Sequence, residues 1–225
     1  MIQSDIFDSS NMDIKKLAYS VFNFAIKRLI EITGISVSFV GVLFLIALIS
    51  YSPNDPNFIF PKNDEINNLL GFRGSYVSDF FFQTVGLISY LIPFTYIFTG
   101  ISIFRKKELF LIIENTFYII PYCLFGSLFT GYFYNNSFSL YINGNGGFVG
   151  RYLNETFLNN LVSSFEVISY YFLIIFLILF FLISINFNPK NFYFLFKKVF
   201  TLIFLKRERN YTNKDELIKE YIPQE

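Results

Sequence analysis

Residues able to do chemistry are scarce in this chain. It has no His and a single Cys, Cys123, set in an apolar stretch. Without His there is no Ser–His or Cys–His catalysis, no commonest metal ligand and no ordinary pH switch. One thiol forms no intramolecular disulfide and does not make a metal site. The carboxylates in the two loops that the basic-residue count below places outside include Asp55, Asp64, Glu65, Asp79, Glu155 and Glu166. No pair of them has a spacing that fits general acid–base work. Asp55 lies in a "PNDP" turn and Asp79 near a helix start, two places where a carboxylate caps backbone N–H groups. The segment "NGNGGFVG", residues 143–150, suggests a phosphate loop but fails in detail. A G-x-G-x-x-G reading from Gly144 meets Val149 where its last Gly belongs. A G-x-x-x-x-G-K-[ST] reading ending on Gly150 meets Asn145, Arg151 and Tyr152 at its required positions. We read it as a tight turn in which Gly144, Gly146, Gly147 and Gly150 supply backbone conformations closed to other residues. No catalytic residue, cofactor site or metal site is expected.

The elements that position these residues are set by composition. Of 225 residues, 53% are hydrophobic, 22% aromatic and only 16% charged, against roughly 25% charged in soluble domains. Mean hydropathy is +0.46. Four stretches carry no Asp, Glu, Lys or Arg: 32–51, 80–104, 115–134 and 167–187. At about 1.5 Å per residue, 20 residues cross a hydrocarbon core of about 30 Å. The expected fold class is therefore all-α: a polytopic membrane protein with four transmembrane helices and flanking interfacial helices. Its parts are a cytoplasmic segment 1–31, a four-span domain 32–187 and a cytoplasmic segment 188–225.

Orientation follows from Lys and Arg. Of 18 such residues, 15 lie before span one, between spans two and three, or after span four. Only Lys62, Arg73 and Arg151 lie in the other two loops. The positive-inside rule puts both termini in the cytoplasm and residues 52–79 and 135–166, with Asn63 and Asn145, outside. Lys and Arg also punctuate the flanks. Residues 13–29 have Leu17, Val21, Phe24 and Ala25 on one helical face, a pattern for a short helix on the inner leaflet. Residues 191–205 are split by Lys197 and Lys198 and read as an interfacial helix rather than a fifth span. Residues 206–225 read as the start of a linker.

Inside the spans, small residues line up: Gly34, Ser38 and Gly41 in span one; Gly86, Ser89, Pro93 and Gly100 in span two; Cys123, Gly126, Ser127, Thr130 and Gly131 in span three. Such stripes let helices approach closely, within one chain or between copies. Pro93 and Pro121 predict kinks. No Asp, Glu, Lys or Arg lies in any span, which argues against ion-coupled transport.

Two outer segments and a turn resemble one family. "LISYSPNDPNF", residues 48–58, resembles the "L-x-S-Y-[SD]-P-x-D-P-[SG]" signature that closes the first span of bacterial FtsK/SpoIIIE-type DNA translocases. "NNLLGFRGSYVSDFFFQTVGLISYLIP", residues 67–93, resembles their "N-x-x-G-x-x-G-A-x-x-A-D" approach to the second span, with Ser75 and Ser78 in place of Ala. "NGNGGFVG" resembles the turn before their last span, and "EITGI" at 31–35 fits as well. The structural motif residues are then Tyr51, Ser52, Pro53, Asp55, Pro56, Gly71, Gly74, Asp79, Gly144, Gly146, Gly147 and Gly150.

The resemblance implies the membrane anchor and septum-localising region of a DNA translocase acting in cell division and chromosome segregation. It implies the bacterial inner membrane, contact with the lipid bilayer, self-association and divisome membrane proteins as partners. DNA and ATP would be met only through a motor domain absent from residues 1–225, so this sequence reads as an N-terminal fragment or a stand-alone anchor, and not itself an enzyme. The competing readings are a small multi-span transporter or permease subunit, which predicts polar groups inside the spans, and a membrane enzyme, which predicts paired carboxylates. On the turn reading, Gly147→Val costs about 1–3 kcal/mol if its φ is positive, and Asp55→Asn costs little because Asn caps the same turn.

Overall fold

Helix α1 (Ile2–Ile49) is one unbroken helix of 48 residues. The computed structural model describes the backbone of residues 2–57, 66–134 and 143–189 with 197 and 201, and side chains from residue 16 onward. The expected surface helix at 13–29 thus runs into the first span without interruption. Its apolar stretch, Lys16–Ile49, has 34 residues, or about 51 Å at 1.5 Å each, so part of α1 extends beyond a core of about 30 Å. It ends at Ser50–Tyr51–Ser52–Pro53, where Pro53 disfavours helix in the residue before it.

The second apolar stretch is not a single rod. It comprises α2 (Gly71–Val85), a 3₁₀ turn (Gly86–Tyr90) and α3 (Leu91–Lys106). The break falls at Gly86, whose φ is +67°, a conformation that L side chains avoid and hydropathy does not register. The third is likewise divided into α4 (Leu111–Phe117) and α5 (Ile119–Phe133). Here Pro121 has no N–H to offer the carbonyl four residues back, that of Phe117, and the helix is interrupted there. Pro93 similarly sits in the first turn of α3 after the break at Gly86. Beyond Asn143 come α6 (Gly147–Asn154), α7 (Phe157–Ser164) and α8 (Glu166–Ser184). Thr156 caps α7, its Oγ1 accepting from the Leu158 N–H at 3.3 Å. Among the described residues every regular element is helical, and four helical stretches are long and apolar enough to cross a membrane.

The chain divides into two units, 1–186 and 187–225. The expected interfacial helix at 191–205 and linker at 206–225 fall outside the described residues, apart from 197 and 201.

In the first unit, α1 and α3 run antiparallel in close contact. A Cβ on Gly34 would lie 2.8 Å from the Gly100 carbonyl, and one on Gly41 would lie 2.9 Å from Ile97 N. Ser38 Oγ donates to the Ile97 carbonyl at 2.9 Å. Gly34, Ser38 and Gly41 of span one therefore face Pro93, Ile97 and Gly100 of span two within the chain, whereas Gly86 of the second stripe packs on Asn145 and Gly147. Helices α5 and α8 pair through rings instead: Phe125 stacks on Phe180 at 5.8 Å, and Phe129 meets Tyr170 at 5.2 Å. Polar groups buried between the helices pair with one another. Thr95 Oγ1 is 3.1 Å from Tyr122 Oη and 3.0 Å from Ser184 Oγ. Asn115 donates to Thr99 Oγ1 at 2.8 Å and accepts from Asn186 at 2.8 Å. Such hydrogen bonds hold helices together where water is excluded.

Charge collects at one end. Glu31 of α1 pairs with Arg28 at 2.6 Å and with Lys107, just past α3, at 2.5 Å. Lys106 reaches Asn186 Oδ1 at 3.5 Å. Arg28, midway along α1, thus lies with Arg105, Lys106 and Lys107 near the C-terminal ends of α3 and α8. The C-terminal end of α1 meets α2.

Candidate functional site

At that other end, two loops are fixed by different means. The first is a polar clasp around Asp55. Its carboxylate is buried and accepts the Asn67 N–H at 2.9 Å, the Asn67 side-chain amide at 3.1 Å and the Asn68 N–H at 2.8 Å. These donors lie 12 and 13 residues away in the chain. Asp55 therefore draws the chain leaving α1 to the chain entering α2. This corrects the reading of Asp55 as a local turn cap; on these partners an Asn should cost more than a local cap would. Both carboxylate oxygens face N–H donors, and an Asn would turn an NH₂ toward one of them.

Asn68 completes the clasp. Its amide donates to the carbonyls of Ala47 at 2.8 Å and Ser50 at 3.3 Å, at the end of α1. Carbonyls in the last turn of a helix have no partner within it, so Asn68 supplies one from outside. Asn68 Oδ1 accepts the Leu70 N–H at 3.1 Å, and its carbonyl accepts the Gly71 N–H at 2.8 Å, which turns the chain into α2. Gly74 leaves room for Asn68, since a Cβ there would collide with Asn68 Oδ1. Gly71 has φ +64° with open space around it, so its role is conformational.

Ser75 Oγ donates to the buried Pro56 carbonyl at 2.5 Å, and Ser78 Oγ donates to the Ser75 carbonyl at 3.0 Å. The hydroxyls at these two positions, where the family motif has Ala, thus make bonds of their own. Asp79 is not an N-cap as expected. It lies well inside α2, buried, and accepts from Tyr51 Oη at 3.2 Å and Gln83 at 3.5 Å. The Tyr51 ring packs on Phe82 at 4.7 Å. Ser52 closes the turn by accepting the Asp55 N–H at 3.1 Å, and Pro53 stands inside that turn.

The second loop is a glycine wedge. Residues 143–150 do not project outward; they enter the break in the second apolar stretch. The Asn145 carbonyl accepts the Leu87 N–H at 2.9 Å and Thr130 Oγ1 at 3.1 Å. Asn143 donates to the Gln83 carbonyl at 3.2 Å, and Ser127 Oγ donates to the Val85 carbonyl at 2.9 Å. The backbone groups freed by the break thus find partners inside the protein, which is the condition for irregular backbone among membrane helices. Asn145 has 0% exposure, so it lies inside the protein and not on its surface.

The four glycines of the wedge differ. Gly144 and Gly147 have φ of +70° and +64°, as a turn reading expects. Gly146 has φ −86°, and Gly150 is an ordinary residue of α6, so freedom of φ is not their role. What they supply is space. A Cβ on Gly146 would lie 2.6 Å from the Ser127 carbonyl, and one on Gly150 would collide with that same carbonyl. Gly147 combines both demands: a Cβ there would lie 2.5 Å from Gly86 N and 2.7 Å from the Thr84 carbonyl. Residue 147 opens α6, so the turn and the helix after it are one unit. Sequence reasoning named Gly86 and Ser127 only as members of small-residue stripes and missed the roles of Asn68 and Asn145. Asn68 had a signal, as the first letter of N-x-x-G-x-x-G.

Neither loop brings together a nucleophile, a base and an acid, and no cluster of three His, Cys, Asp or Glu residues able to hold a metal occurs among the described residues. Cys123 is buried. The arrangement fixes helices to one another.

Residues 26–190 match the family described as the 4TM region of DNA translocase FtsK/SpoIIIE. The chain is 26% identical over 151 residues to the protein named DNA translocase FtsK of Rickettsia bellii, a match covering 67% of this chain and 20% of that one. It is 41% identical over 54 residues to the proteins of the same name from Rickettsia typhi and Rickettsia prowazekii, covering 24% of this chain and 7% of each. No solved structure matches. The chain spans about a fifth of the length of the Rickettsia bellii relative. It belongs to the FtsK/SpoIIIE four-span family, and with its four apolar helical stretches it is a multi-pass protein of the bacterial inner membrane.

Proposed function

We propose that these residues anchor a DNA translocase in the inner membrane and bring it to the division septum, in the service of cell division and chromosome segregation. The motor that hydrolyses ATP and moves DNA lies outside residues 1–225, and both termini face the cytoplasm. Self-association and contact with membrane proteins of the division machinery belong to this reading.

The observation that carries it is the contrast between the two ends of the four-span unit. One end gathers Arg28, Arg105, Lys106 and Lys107 near Glu31 and Asn186. The other carries Arg73 and Arg151 as its described basic residues, on α2 and α6, beside the clasp and the wedge. The end with the greater share of basic residues is the cytoplasmic one. An anchor needs rigid helices and a fixed orientation, not a reactive centre, and the site offers the former. The transporter reading is disfavoured because the buried Thr, Ser, Tyr and Asn side chains named above bond to each other across helices.

Localisation tests the proposal. A fluorescent protein fused after residue 225 and expressed in a dividing bacterium should concentrate at midcell. Uniform membrane fluorescence throughout the cycle, from a fusion shown to be intact, would rule out the septal role.

A further inference from the structure

We infer that Ser184 and Asn186 lock the end of α8, so that a pull on the chain beyond it is borne by α3 and α4. This use of the lock rests on the anchor reading, since an anchored motor would load the four-span unit through the chain that follows residue 186. The lock stands at the last residue of the first unit. Without it α8 is held loosely. Of its 19 residues only Ser169, Leu173 and Ser184 are buried, and its rings Phe172, Phe176 and Phe180 meet α5 through Phe125. Such apolar contact is non-directional, and untied helix ends fray at a free energy near zero. Pulled from its C-terminal end, a helix so held peels away turn by turn.

The C-terminal turn is tied by directed bonds instead. Ser184 is fully buried, and its Oγ lies 3.0 Å from Thr95 Oγ1 of α3. Asn186 has φ +52°, a left-handed conformation that Asn enters more readily than most side chains. Its N–H donates to the Ile183 carbonyl at 2.9 Å and closes the helix. Its side chain joins two other elements. Nδ2 donates to Asn115 Oδ1 of α4 at 2.8 Å, and Oδ1 accepts from Lys106 at the end of α3 at 3.5 Å. Asn115 carries the link on, donating to Thr99 Oγ1 of α3 at 2.8 Å. Thr95 and Thr99 stand four residues apart on α3, so both links end on one face of that helix. Asn115 and Thr99 are each 1% exposed, so no water takes over their bond as it parts. Helix α3 in turn lies against α1 at Gly34 and Gly100. A load at residue 186 therefore spreads to α4, α3 and α1, and links in parallel must fail together before α8 moves.

Forced release is governed by the rate of unfolding, so the test reads a rate. Full-length chains in phosphatidylcholine bicelles, in a Cys123→Ser background, are held in magnetic tweezers by a Cys added after Glu225 and by Ser20→Cys, exposed on α1. In the parent, α8 should leave only together with the rest of the four-span unit. Asn186→Gly keeps the left-handed turn and deletes the amide; it should release α8 in a separate, earlier step, roughly tenfold faster at the same force. If that variant does not fold, Asn186→Asp serves, since it keeps the acceptor and loses the donor to Asn115. Thr99→Val, which touches neither α8 nor the exit, should also speed release. Ser169→Ala, buried near the opposite end of α8, should leave it unchanged. A parent that sheds α8 first, as fast as Asn186→Gly does, overturns the inference. So does a Thr99→Val chain that releases α8 at the parent's rate, or a Ser169→Ala chain that releases it as fast as Asn186→Gly. None of these outcomes depends on where a fusion localises, so failure of the lock and failure of the septal reading are told apart.

Discussion

The clasp and the wedge meet the same need, joining segments far apart in the chain, by opposite means. The clasp uses side-chain chemistry: Asp55 and Asn68 carry it with oriented donors and acceptors. The wedge uses the lack of side chains: Gly86, Gly146, Gly147 and Gly150 let backbone lie directly on backbone. The clasp should therefore be sensitive to hydrogen-bond polarity and tolerant of modest changes in bulk. The wedge should be sensitive to a single methyl group.

The largest effect separating the two is expected at the wedge. Gly147→Ala forces a residue with a Cβ into φ +64° and against Gly86 N and the Thr84 carbonyl. We expect a loss of about 3 kcal/mol or more, measured as unfolding in a detergent–denaturant titration. Gly147→Val should be worse. Gly146→Ala sharpens the point, because its φ is negative and only space is at issue. A loss there comparable to Gly147→Ala would show that crowding, not φ, governs the wedge.

Next comes the clasp. Asp55→Ala leaves the Asn67 and Asn68 N–H groups without their acceptor and should cost about 2–4 kcal/mol. Asp55→Asn keeps one carbonyl oxygen but points an NH₂ at the other donor, and should cost about 1–2 kcal/mol. Equal stability of Asp55→Asn and the parent in the same titration would return Asp55 to a local cap.

Gly71→Ala should fall below Gly147→Ala and Asp55→Ala. Its φ matches that of Gly147, yet nothing stands within 4 Å of a Cβ there. The left-handed conformation alone costs about 1–2 kcal/mol. The gap between Gly71→Ala and Gly147→Ala then isolates the steric part of the wedge. The smallest change expected is Ser38→Ala, which removes one hydrogen bond to the Ile97 carbonyl between α1 and α3; such bonds between membrane helices average about 0.6 kcal/mol.

How much of this the sequence disclosed follows from range and length. The four apolar stretches were legible because a charge-free run of 20 residues has one common meaning. The Tyr51–Pro56 turn was legible because Pro acts locally, and Gly71 and Gly74 through the resemblance of residues 67–93 to a family motif. The bond from Asp55 to Asn67 and Asn68 was not, since a contact across 12 residues leaves no periodic trace. Nor was the break at Gly86. It lies in a window of uniform hydropathy, and φ is invisible to hydropathy. Helices α6 and α7 have eight residues each, about two turns, too few for a helical period to stand out between glycines and asparagines. The burial of Asn145 was missed for a related reason: a polar residue between glycines reads as a solvent turn unless its partners, Leu87 and Thr130, are seen.

The anchor reading requires that the basic end of the four-span unit lie in the cytoplasm. Labelling with a membrane-impermeant thiol reagent tests this most directly. Intact spheroplasts would carry single Cys residues in a Cys123→Ser background, at the exposed positions of Lys106, Arg73 and Arg151; position 145, being buried, is unsuitable. The account predicts labelling at 73 and 151 from outside and at 106 only after the membrane is opened. Labelling at 106 in intact cells, with 73 and 151 protected, would contradict it.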